Sequence, residues 1–339
     1  MNDESLMRRC IQLARLGHGF VAPNPMVGAV LLYGGKIIGE GWHREFGQHH
    51  AEINALHEIK DKEILSSSIL YVNLEPCSHQ GKTPPCADEI IRQGIKKVVI
   101  GMTDPNPEVN GKGIQKLKNA GVEVVVNVEL KECQLLNKRF ITYYEKQRPY
   151  LILKWAQSAD GYIGRKNEQI QISNDLSGIL THQWRSQESA IMVGTNTIRT
   201  DNPQLNIRHW FGKKPLRITI DKRKYISRDL HILDDKQSTL IYTYLESEKN
   251  QKLEYEKLNT EENVLKQIMQ SIYQRQVQSV LIEGGAYLLN EFLTASLWDE
   301  VRIFNSPMIL NSGIKAPVPS FSSFSEEFLG DNRLVCYLR

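Results

Sequence analysis

The sequence His50-Ala51-Glu52 is the most informative feature of the first half of the chain, together with Pro76-Cys77 and Pro84-Pro85-Cys86-Ala87-Asp88-Glu89-Ile90-Ile91. One imidazole and two thiolates supply three ligands for Zn²⁺ and leave a fourth tetrahedral position open, which is typical of a catalytic zinc site. Both ligand regions fall where helices are predicted to begin, and proline is favoured at helix starts. Because helix N-termini carry partial positive charge, they favour the thiolates that zinc requires.

Glu52 is the predicted proton carrier of this site. Zinc lowers the pKa of a bound water towards about 7, and Glu52 would accept its proton and deliver it to a departing amine. The pattern H-x-E followed by P-C-x-x-C is the signature of zinc deaminases. Here eight residues, 78–85, separate the two cysteines. The alternatives are a pair of unrelated thiols, or a structural zinc site whose fourth ligand is a nearby histidine: His49, His57 or His79.

Length and composition exclude several classes of protein. A chain of 339 residues suggests two domains, and 41% hydrophobic and 24% charged residues are ordinary for a globular protein. The net charge of +3 and the absence of long Lys/Arg runs disfavour a nucleic-acid partner. No apolar run is long enough for a membrane span or a signal peptide. The five cysteines form an odd, sparse set, so we expect a cytoplasmic enzyme.

Apolar periodicity predicts an α/β fold for both halves. In the first half the predicted helices are 4–17, 51–60, 86–93, 112–119 and 130–144, and the predicted strands are 27–32, 36–41, 69–73, 98–101 and 122–127. This alternation favours a three-layer α/β domain. Gln147-Arg148-Pro149 resists helix continuation, so we predict domains at 1–147 and 148–339.

The second half alternates in the same way without sharing a motif with the first. Its predicted helices are 176–187, 264–275 and 286–293, and its predicted strands are 150–156, 190–194, 216–221, 239–242, 279–282 and 300–304. The serine-rich segment 320–327 is predicted to be a surface loop. Polar clusters follow three of the strands, where sites of open α/β sheets gather: 154–161, 195–208 and 282–286.

Two loops carry further candidate groups. Asn24 lies between two prolines and could recognise a base edge through its amide, although an Asx-type turn explains it equally well. Gly284-Gly285 could admit a phosphate at a helix N-terminus, with a packing turn as the alternative. No G-x-G-x-x-G fingerprint follows a strand. Segment 78–85 holds polar groups suited to a phosphorylated ligand, or is simply a longer surface loop.

Three segments resemble the deaminase half of the bifunctional riboflavin-biosynthesis deaminase–reductases: Pro23-Asn24-Pro25-x-Val27-Gly28, Gly39-Glu40-Gly41-Trp42-His43, and Glu75-Pro76-Cys77-Ser78-His79-x-Gly81-Lys82-Thr83-Pro84-Pro85-Cys86. The eight-residue gap between cysteines matches that family. The resemblance implies a cytidine-deaminase-like domain that deaminates 2,5-diamino-6-(5-phosphoribosylamino)pyrimidin-4(3H)-one. It also implies Zn²⁺ on His50, Cys77 and Cys86, with Glu52 as proton shuttle. The implied substrate contacts are Asn24, His43 and His79.

The second half is similar to the reductase half of that family, which has a dihydrofolate-reductase-like fold and uses NADPH. The residues implied to line the cofactor are Ala156, Thr197, Asp201, Gly285, Ala286, Tyr287, Leu288, Leu289, Asn290 and Glu291. Those implied to face the substrate are Arg185, Leu205, Arg208 and Glu283. The sequence Ile170-Gln171-Ile172-Ser173 stands where the family usually has Trp-Ile-Thr-Ser, so a tryptophan contact to the cofactor is lost.

The resemblance implies a small phosphorylated pyrimidine as the substrate, and we expect no nucleic-acid or membrane partner and a homo-oligomer. One alternative function is a zinc deaminase of a nucleoside or tRNA base with a C-terminal domain that is not a reductase. Another is a zinc-stabilised binding protein without catalysis.

Overall fold

The computed structural model describes residues 2–78, 84–318 and 325–339. The chain divides into two compact units, Met1–Gln147 and Arg148–Arg339. Within the described ranges, no helix combines the length and the apolar character that crossing a bilayer requires.

The first unit is built on a mixed five-stranded sheet. Its elements are α1 (Asp3–Arg15), β1 (Gly28–Tyr33), β2 (Lys36–Trp42), α2 (Ala51–His57), a 3₁₀ turn (Glu63–Ser67), β3 (Ile69–Val72), α3 (Cys86–Arg92), β4 (Lys97–Ile100), α4 (Lys112–Asn119), β5 (Glu123–Val125), α5 (Leu130–Leu136) and α6 (Lys138–Lys146). The strand order is β2-β1-β3-β4-β5. The β1 strand is antiparallel to β2 and β3, whereas β3, β4 and β5 are parallel.

Alternating side chains place a core on each face of this sheet. Along β1, Ala29 and Leu31 pack with α2, α3 and α4, whereas Val30 packs with α1 and α5. In β3, Leu70 and Val72 join the first core, and Tyr71 joins the second. Since successive strand residues point to opposite faces, the sheet is covered on both sides, and the predicted three-layer α/β/α arrangement is confirmed.

Two glycines bring helices unusually close to the sheet. A Cβ atom on Gly28 would lie 2.1 Å from the carbonyl oxygen of Cys10 in α1, and one on Gly41 would lie 2.3 Å from the carbonyl oxygen of Ala51. No side chain fits at either position. Because α2 begins at Ala51, its contact with Gly41 fixes where His50 stands above the sheet.

The predicted helix 130–144 is wrong as a single element. The chain leaves helical geometry at Asn137, which has φ −98° and ψ 20°, and separates α5 from α6. Asn137 is buried and its side chain bonds to a distant backbone segment. Apolar periodicity continues across the break, so it could not reveal the interruption.

The second unit is built on a ten-stranded sheet. Its elements are β6 (Tyr150–Gln157), β7 (Tyr162–Gly164), α7 (Asp175–Gln187), β8 (Ala190–Val193), α8 (Thr195–Asp201), β9 (Leu216–Ile220), a 3₁₀ turn (His231–Leu233), β10 (Thr239–Thr243), β11 (Glu248–Asn250), β12 (Leu253–Lys257), α9 (Val264–Gln274), β13 (Ser279–Glu283), α10 (Ala286–Thr294), β14 (Glu300–Asn305), β15 (Ile314–Lys315), β16 (Ser325–Leu329) and β17 (Asn332–Leu338). The strand order is β11-β12-β10-β9-β8-β13-β6-β14-β17-β16, and β7 pairs separately with β15.

The seven neighbouring strands β12, β10, β9, β8, β13, β6 and β14 are all parallel, so their carboxyl ends lie at one edge of the sheet. Along β6, Leu151 and Leu153 pack in the core that includes α9 and α10, whereas Tyr150 and Ile152 pack towards α7. The predicted α/β class is therefore confirmed here too.

Two expectations for this unit need correction. Segment 195–201, for which the sequence predicted only a polar cluster after a strand, forms the helix α8. The predicted surface loop 320–327 is wrong at its end, because 325–327 belong to β16, which pairs with β17; its residues 320–324 lie outside the described part of the chain.

Candidate active sites

The three predicted metal ligands meet in space. His50 is the N-cap residue of α2, Cys86 is the first residue of α3, and Cys77 follows β3. The Nδ1 atom of His50 lies 3.3 Å from Cys86 Sγ and 3.6 Å from Cys77 Sγ. All three ligand atoms lie within 4.8 Å of one another. Helix starts thus carry two of the ligands, as the sequence predicted.

The chemistry of this donor set fits zinc. One imidazole nitrogen and two sulfurs are ligands that Zn²⁺ prefers. Hydrogen bonding from Cys86 and from the His50 ring lowers the pKa of Cys77, which favours the thiolate that zinc binds. Within the described residues the cluster contains no fourth ligand. His49 and His57 instead stack edge to face with ring centroids 5.3 Å apart, and His79 lies outside the described residues.

Glu52 lies in the first turn of α2, two residues from a ligand, and its side chain is only 3% exposed. Its Oε2 atom is buried and finds no hydrogen-bond partner among the described residues. Burial raises the pKa of Glu52 above its usual value, because the charged form is poorly solvated. A buried carboxyl with an unpartnered oxygen beside three metal ligands is suited to proton transfer.

Asn24 and His43 join this site through a chain of hydrogen bonds. Asn24 Nδ2 lies 3.1 Å from His43 Nε2, and His43 Nδ1 lies 3.0 Å from the carbonyl oxygen of His49. Since that carbonyl can only accept, the bonding assigns the ring proton to Nδ1, and Nε2 accepts from Asn24. Burial lowers the pKa of His43, which favours this neutral form. Its ring packs edge to face on His50, with centroids 5.4 Å apart.

Two buried asparagines that sequence reasoning missed hold the Asn24 loop. Asn137 Oδ1 accepts from Met26 N at 2.8 Å, and Asn137 Nδ2 donates to Met26 O at 3.0 Å. Asn73 Oδ1 accepts from Gly28 N at 2.7 Å, and its Nδ2 also donates to Met26 O. The only sequence signal was a polar residue, Asn137, within an apolar helical pattern, and it did not indicate its distant partner.

In the second unit, predicted substrate residues form a buried charge cluster at the ends of β6 and β13. Glu283 lies opposite Lys154 in the parallel pairing. Arg185 binds Glu283 bidentately, with Nε–Oε1 and Nη2–Oε2 distances of 2.8 Å, and Lys154 Nζ lies 3.5 Å from Oε2. Although burial alone would raise it, the two cations lower the pKa of Glu283 to about 2. Burial lowers the pKa of Lys154.

The two arginines predicted to face the substrate differ in their contacts and exposure. The Arg185 guanidinium binds Glu283 and also donates to Asn206 O at 3.3 Å. Arg208 is exposed, and its Nη1 donates to Asn206 Oδ1 at 3.2 Å. Of these two arginines, Arg208 is the exposed one.

Three of the residues predicted to contact a ligand are buried leucines. Leu205, Leu288 and Leu289 are 1%, 6% and 0% exposed and pack in hydrophobic cores. Their side chains therefore face the protein interior. Contact of these three residues with a ligand stays a prediction.

The remaining predicted cofactor residues border the same strand ends. Thr197 of α8 faces the Gly284-Gly285 turn: a Cβ atom on Gly285 would lie 3.2 Å from Thr197 Oγ1. Both glycines have positive φ, 75° and 71°, which disfavours other residues here. Ala156 lies opposite Phe304 in the β6–β14 pairing. The other five lie at the end of α8 and on α10: Asp201, Ala286, Tyr287, Asn290 and Glu291, of which Tyr287 is 76% exposed.

Family models match both halves of the chain in order. The cytidine and deoxycytidylate deaminase zinc-binding region matches residues 1–102, and the RibD C-terminal domain matches residues 149–321. Riboflavin biosynthesis protein RibD of Synechocystis is 41% identical over 327 residues, covering 94% of this chain and 88% of that protein. RibD of Aquifex aeolicus is 38% identical and covers 99% of this chain and 98% of its own length.

Solved structures agree over the whole chain. The diaminohydroxyphosphoribosylaminopyrimidine deaminase/5-amino-6-(5-phosphoribosylamino)uracil reductase of Thermotoga maritima is 36% identical, with a TM-score of 0.90 and coverage of 98% of this chain and 97% of that one. Acinetobacter baumannii RibD is 30% identical, with a TM-score of 0.90 and coverage of 99% and 98%. The chain therefore belongs to the RibD family of bifunctional riboflavin-biosynthesis enzymes, which join a zinc-dependent deaminase to an NADPH-dependent reductase.

Proposed function

We propose that the first unit deaminates 2,5-diamino-6-(5-phosphoribosylamino)pyrimidin-4(3H)-one and that the second reduces the resulting 5-amino-6-(5-phosphoribosylamino)uracil, converting its ribosyl group to ribityl. The observation that carries the first step is the buried, unpartnered Oε2 of Glu52 beside the ligands His50, Cys77 and Cys86. The name of the Thermotoga relative supports the same pair of substrates.

Glu52 moves the proton of the deamination. Zinc, when bound to the three ligands, supplies a water that ionises near neutral pH. Glu52 takes up the proton of that water at a carboxylate oxygen, and its raised pKa allows it to retain the proton. Once the water oxygen has bonded to the ring carbon that bears the amino group, Glu52 gives the proton to that amino group, and the C–N bond breaks. The products are ammonia and the uracil ribotide, so atoms and protons balance.

Asn24 orients the base for this step. Its Nδ2 is directed to His43 Nε2, which leaves Oδ1 to accept from an N–H group of the pyrimidine. The pyrimidine ring carries such donors at an exocyclic amino group and at a ring nitrogen. His79, the third residue carried over from the family, lies outside the described residues and stays a prediction.

Reduction depends on residues at the ends of β6, β8 and β13. NADPH, when bound, supplies the hydride. Thr197, the Gly284-Gly285 turn and the start of α10 offer the backbone and hydroxyl donors that a cofactor phosphate requires. Arg208 binds the substrate phosphate, and Glu283, held by Arg185 and Lys154, accepts from hydroxyl groups of the sugar.

Product analysis tests both steps. Purified protein is supplied with the diaminopyrimidine ribotide, with and without NADPH, and the products are identified by mass. We expect the uracil ribotide alone without NADPH and its ribityl derivative with NADPH. Turnover of cytidine or of a tRNA base, with none of the ribotide, would instead support the alternative deaminase, which no observation on this chain favours.

Three expectations remain predictions within this proposal. The boundary between 147 and 148 is proposed to separate the two activities, which variants of each unit test. The expected homo-oligomer is tested by measuring the molar mass in solution by light scattering. The cytoplasmic localisation, expected from sparse cysteines, is checked by fractionation of cells.

A further inference from the structure

Glu75 is a buried carboxylate whose two oxygens accept four backbone N–H groups. Oε1 accepts from Gly113 at 2.9 Å and from Ile114 at 3.1 Å. Oε2 accepts from Gly111 at 3.0 Å and from Asp104 at 3.2 Å. A carboxylate offers about four lone-pair positions, so these donors occupy its bonding capacity and leave it no part in proton transfer.

Three of the four donors surround the start of α4. Gly113 and Ile114 lie in its first turn, where N–H groups have no partner inside the helix. Gly111, the N-cap residue, has no side chain to bond them. Glu75 supplies the missing cap from a distant part of the chain, and its charge suits the positive end of the helix dipole. The start of α4 is therefore tied to the backbone at Glu75.

That backbone leads directly to a metal ligand. Residues 73–78, which follow β3, form neither helix nor strand, so the position of Cys77 depends on contacts with other elements. On one side α3 holds it, because Cys86 N donates to Cys77 Sγ at 3.3 Å and Ala87 N donates to Cys77 O at 3.1 Å. On the other side α4 packs on Pro76: a Cβ atom on Gly113 would lie 2.0 Å from Pro76 O.

We propose that Glu75 is a positioning residue for the Cys77 ligand: by anchoring α4 against Pro76, it fixes the direction from which the Cys77 sulfur reaches the metal. The inference rests on the zinc site of the proposed function but concerns its geometry, not its reaction. Groups that orient a metal ligand without touching the metal typically change metal affinity about 10–100-fold when they are lost.

The test substitutes Glu75→Gln, which keeps the size and one acceptor oxygen but turns an NH₂ group towards two N–H donors. Apo protein is titrated with Co²⁺, whose thiolate and d–d absorption bands report ligand geometry, and with Zn²⁺ in competition with a coloured chelator. We expect metal binding weakened about 10–100-fold, altered Co²⁺ bands, and unchanged NADPH-dependent reduction of the uracil ribotide by the second unit.

Asp88→Asn is the matched control. Asp88 on α3 also links to α4, through Lys116 at 2.5 Å, but these side chains are 45% and 39% exposed. An exposed pair of this kind contributes little, so we expect wild-type metal affinity. The control thus separates a general link between α3 and α4 from the anchoring of the Cys77 segment.

Gly113→Ala tests the same contact between α4 and the 75–77 segment, by a change in α4. It keeps the Glu75 side chain and suits a helix, but its Cβ would lie 2.0 Å from Pro76 O and 3.2 Å from Glu75 Oε1. The start of α4 must therefore move away from both, so we expect weaker metal binding here as well. This variant decides the question if Glu75→Gln does not fold. Wild-type affinity and Co²⁺ bands in the folded variants would reduce Glu75 to a purely structural role and overturn the inference. A wild-type protein that binds zinc without deaminating the ribotide would refute only the proposed function.

Discussion

Glu52 carries the largest share of the deaminase chemistry assigned to any one side chain. Glu52→Gln keeps the shape of the side chain and its distance from the ligands but removes the group that accepts a proton. We expect zinc content close to that of the wild type and a deamination rate lower by about 10²–10⁴-fold, the usual contribution of a general acid–base group. Metal analysis and steady-state kinetics on the same sample measure both. Unchanged turnover would reject the assigned role.

We expect the shifted pKa of His182 to make the stability of the second unit depend on pH. Burial, and then the charges of Arg185 and Arg208, lower the pKa of His182 to about 4, while its Nδ1–H donates to Asn206 O at 2.8 Å. An unfolded histidine has a pKa of about 6.5, so between about pH 6.5 and 4 the unfolded chain binds a proton that the folded chain does not. Stability must fall as the pH is lowered through this window, with no contribution from His182 above it.

His182→Gln is the matched comparison, because an amide cannot take up the proton. Thermal unfolding at pH 7 and pH 5 should show a fall in Tm that is at least about 2 °C larger in the wild type than in this variant. Equal falls in the two proteins would show that His182 does not carry the pH dependence.

Single residues also show how far a sequence can predict a site. His50, Cys77, Cys86 and Glu52 were predicted because their chemistry is specific and their spacing is short enough to read. Glu75 was not, although it stands two residues before a ligand, because its importance lies in four backbone groups that the fold alone brings to it. Residue type therefore identifies side chains that bind metal or transfer protons, but not the side chains that keep them in position through the fold.

Asn137, which lies at the break between α5 and α6, supports the Asn24 loop of the deaminase site. Asn137→Ala removes both bonds to Met26 and leaves a buried N–H without its partner. We expect a loss of unfolding free energy of about 1–3 kcal/mol, measured in urea, and a raised KM for deamination with unchanged zinc content, because the Asn24 loop loses its support.

Asn119→Ala provides the control for that change. Asn119 ends α4 on the surface and bonds only to Gln115 of the same helix among the contacts described. Its effect on stability should stay within about 0.5 kcal/mol. If Asn137→Ala lowers stability without raising KM, Asn137 supports the fold and not the substrate loop.

Elements with strong apolar periodicity were predicted to within a few residues, and the structure shows why others were not. The bounds of α4 and the hairpin of β1 and β2 followed from pattern and turn residues. The helix α8 was missed because Thr195–Asp201 is polar and short, and only Ile198 is buried. The strand β16 was missed because all its residues but the last are exposed at the edge of the sheet, so no alternation marks it.

Across the whole molecule, each candidate site is built within one compact unit. The described residues of the deaminase site lie between Asn24 and Cys86, and those of the reductase site between Lys154 and Glu291. The deaminated product is the compound that the second site reduces, so one chain can hold successive reactions without sharing residues between them. We therefore expect that a substitution in one site leaves the activity of the other site unchanged.

Arg208→Ala tests that independence. Loss of a charged hydrogen bond to a substrate phosphate costs about 1.5–3 kcal/mol, or roughly 10–100-fold in kcat/KM for NADPH-dependent reduction. Because Arg208 is exposed and belongs to the second unit, deamination by the same preparation should stay near the wild-type rate. The reciprocal change, Glu52→Gln, should leave reduction of added uracil ribotide intact. Parallel loss of both activities in either folded variant would contradict two independent sites, whereas opposite losses would assign one reaction to each unit.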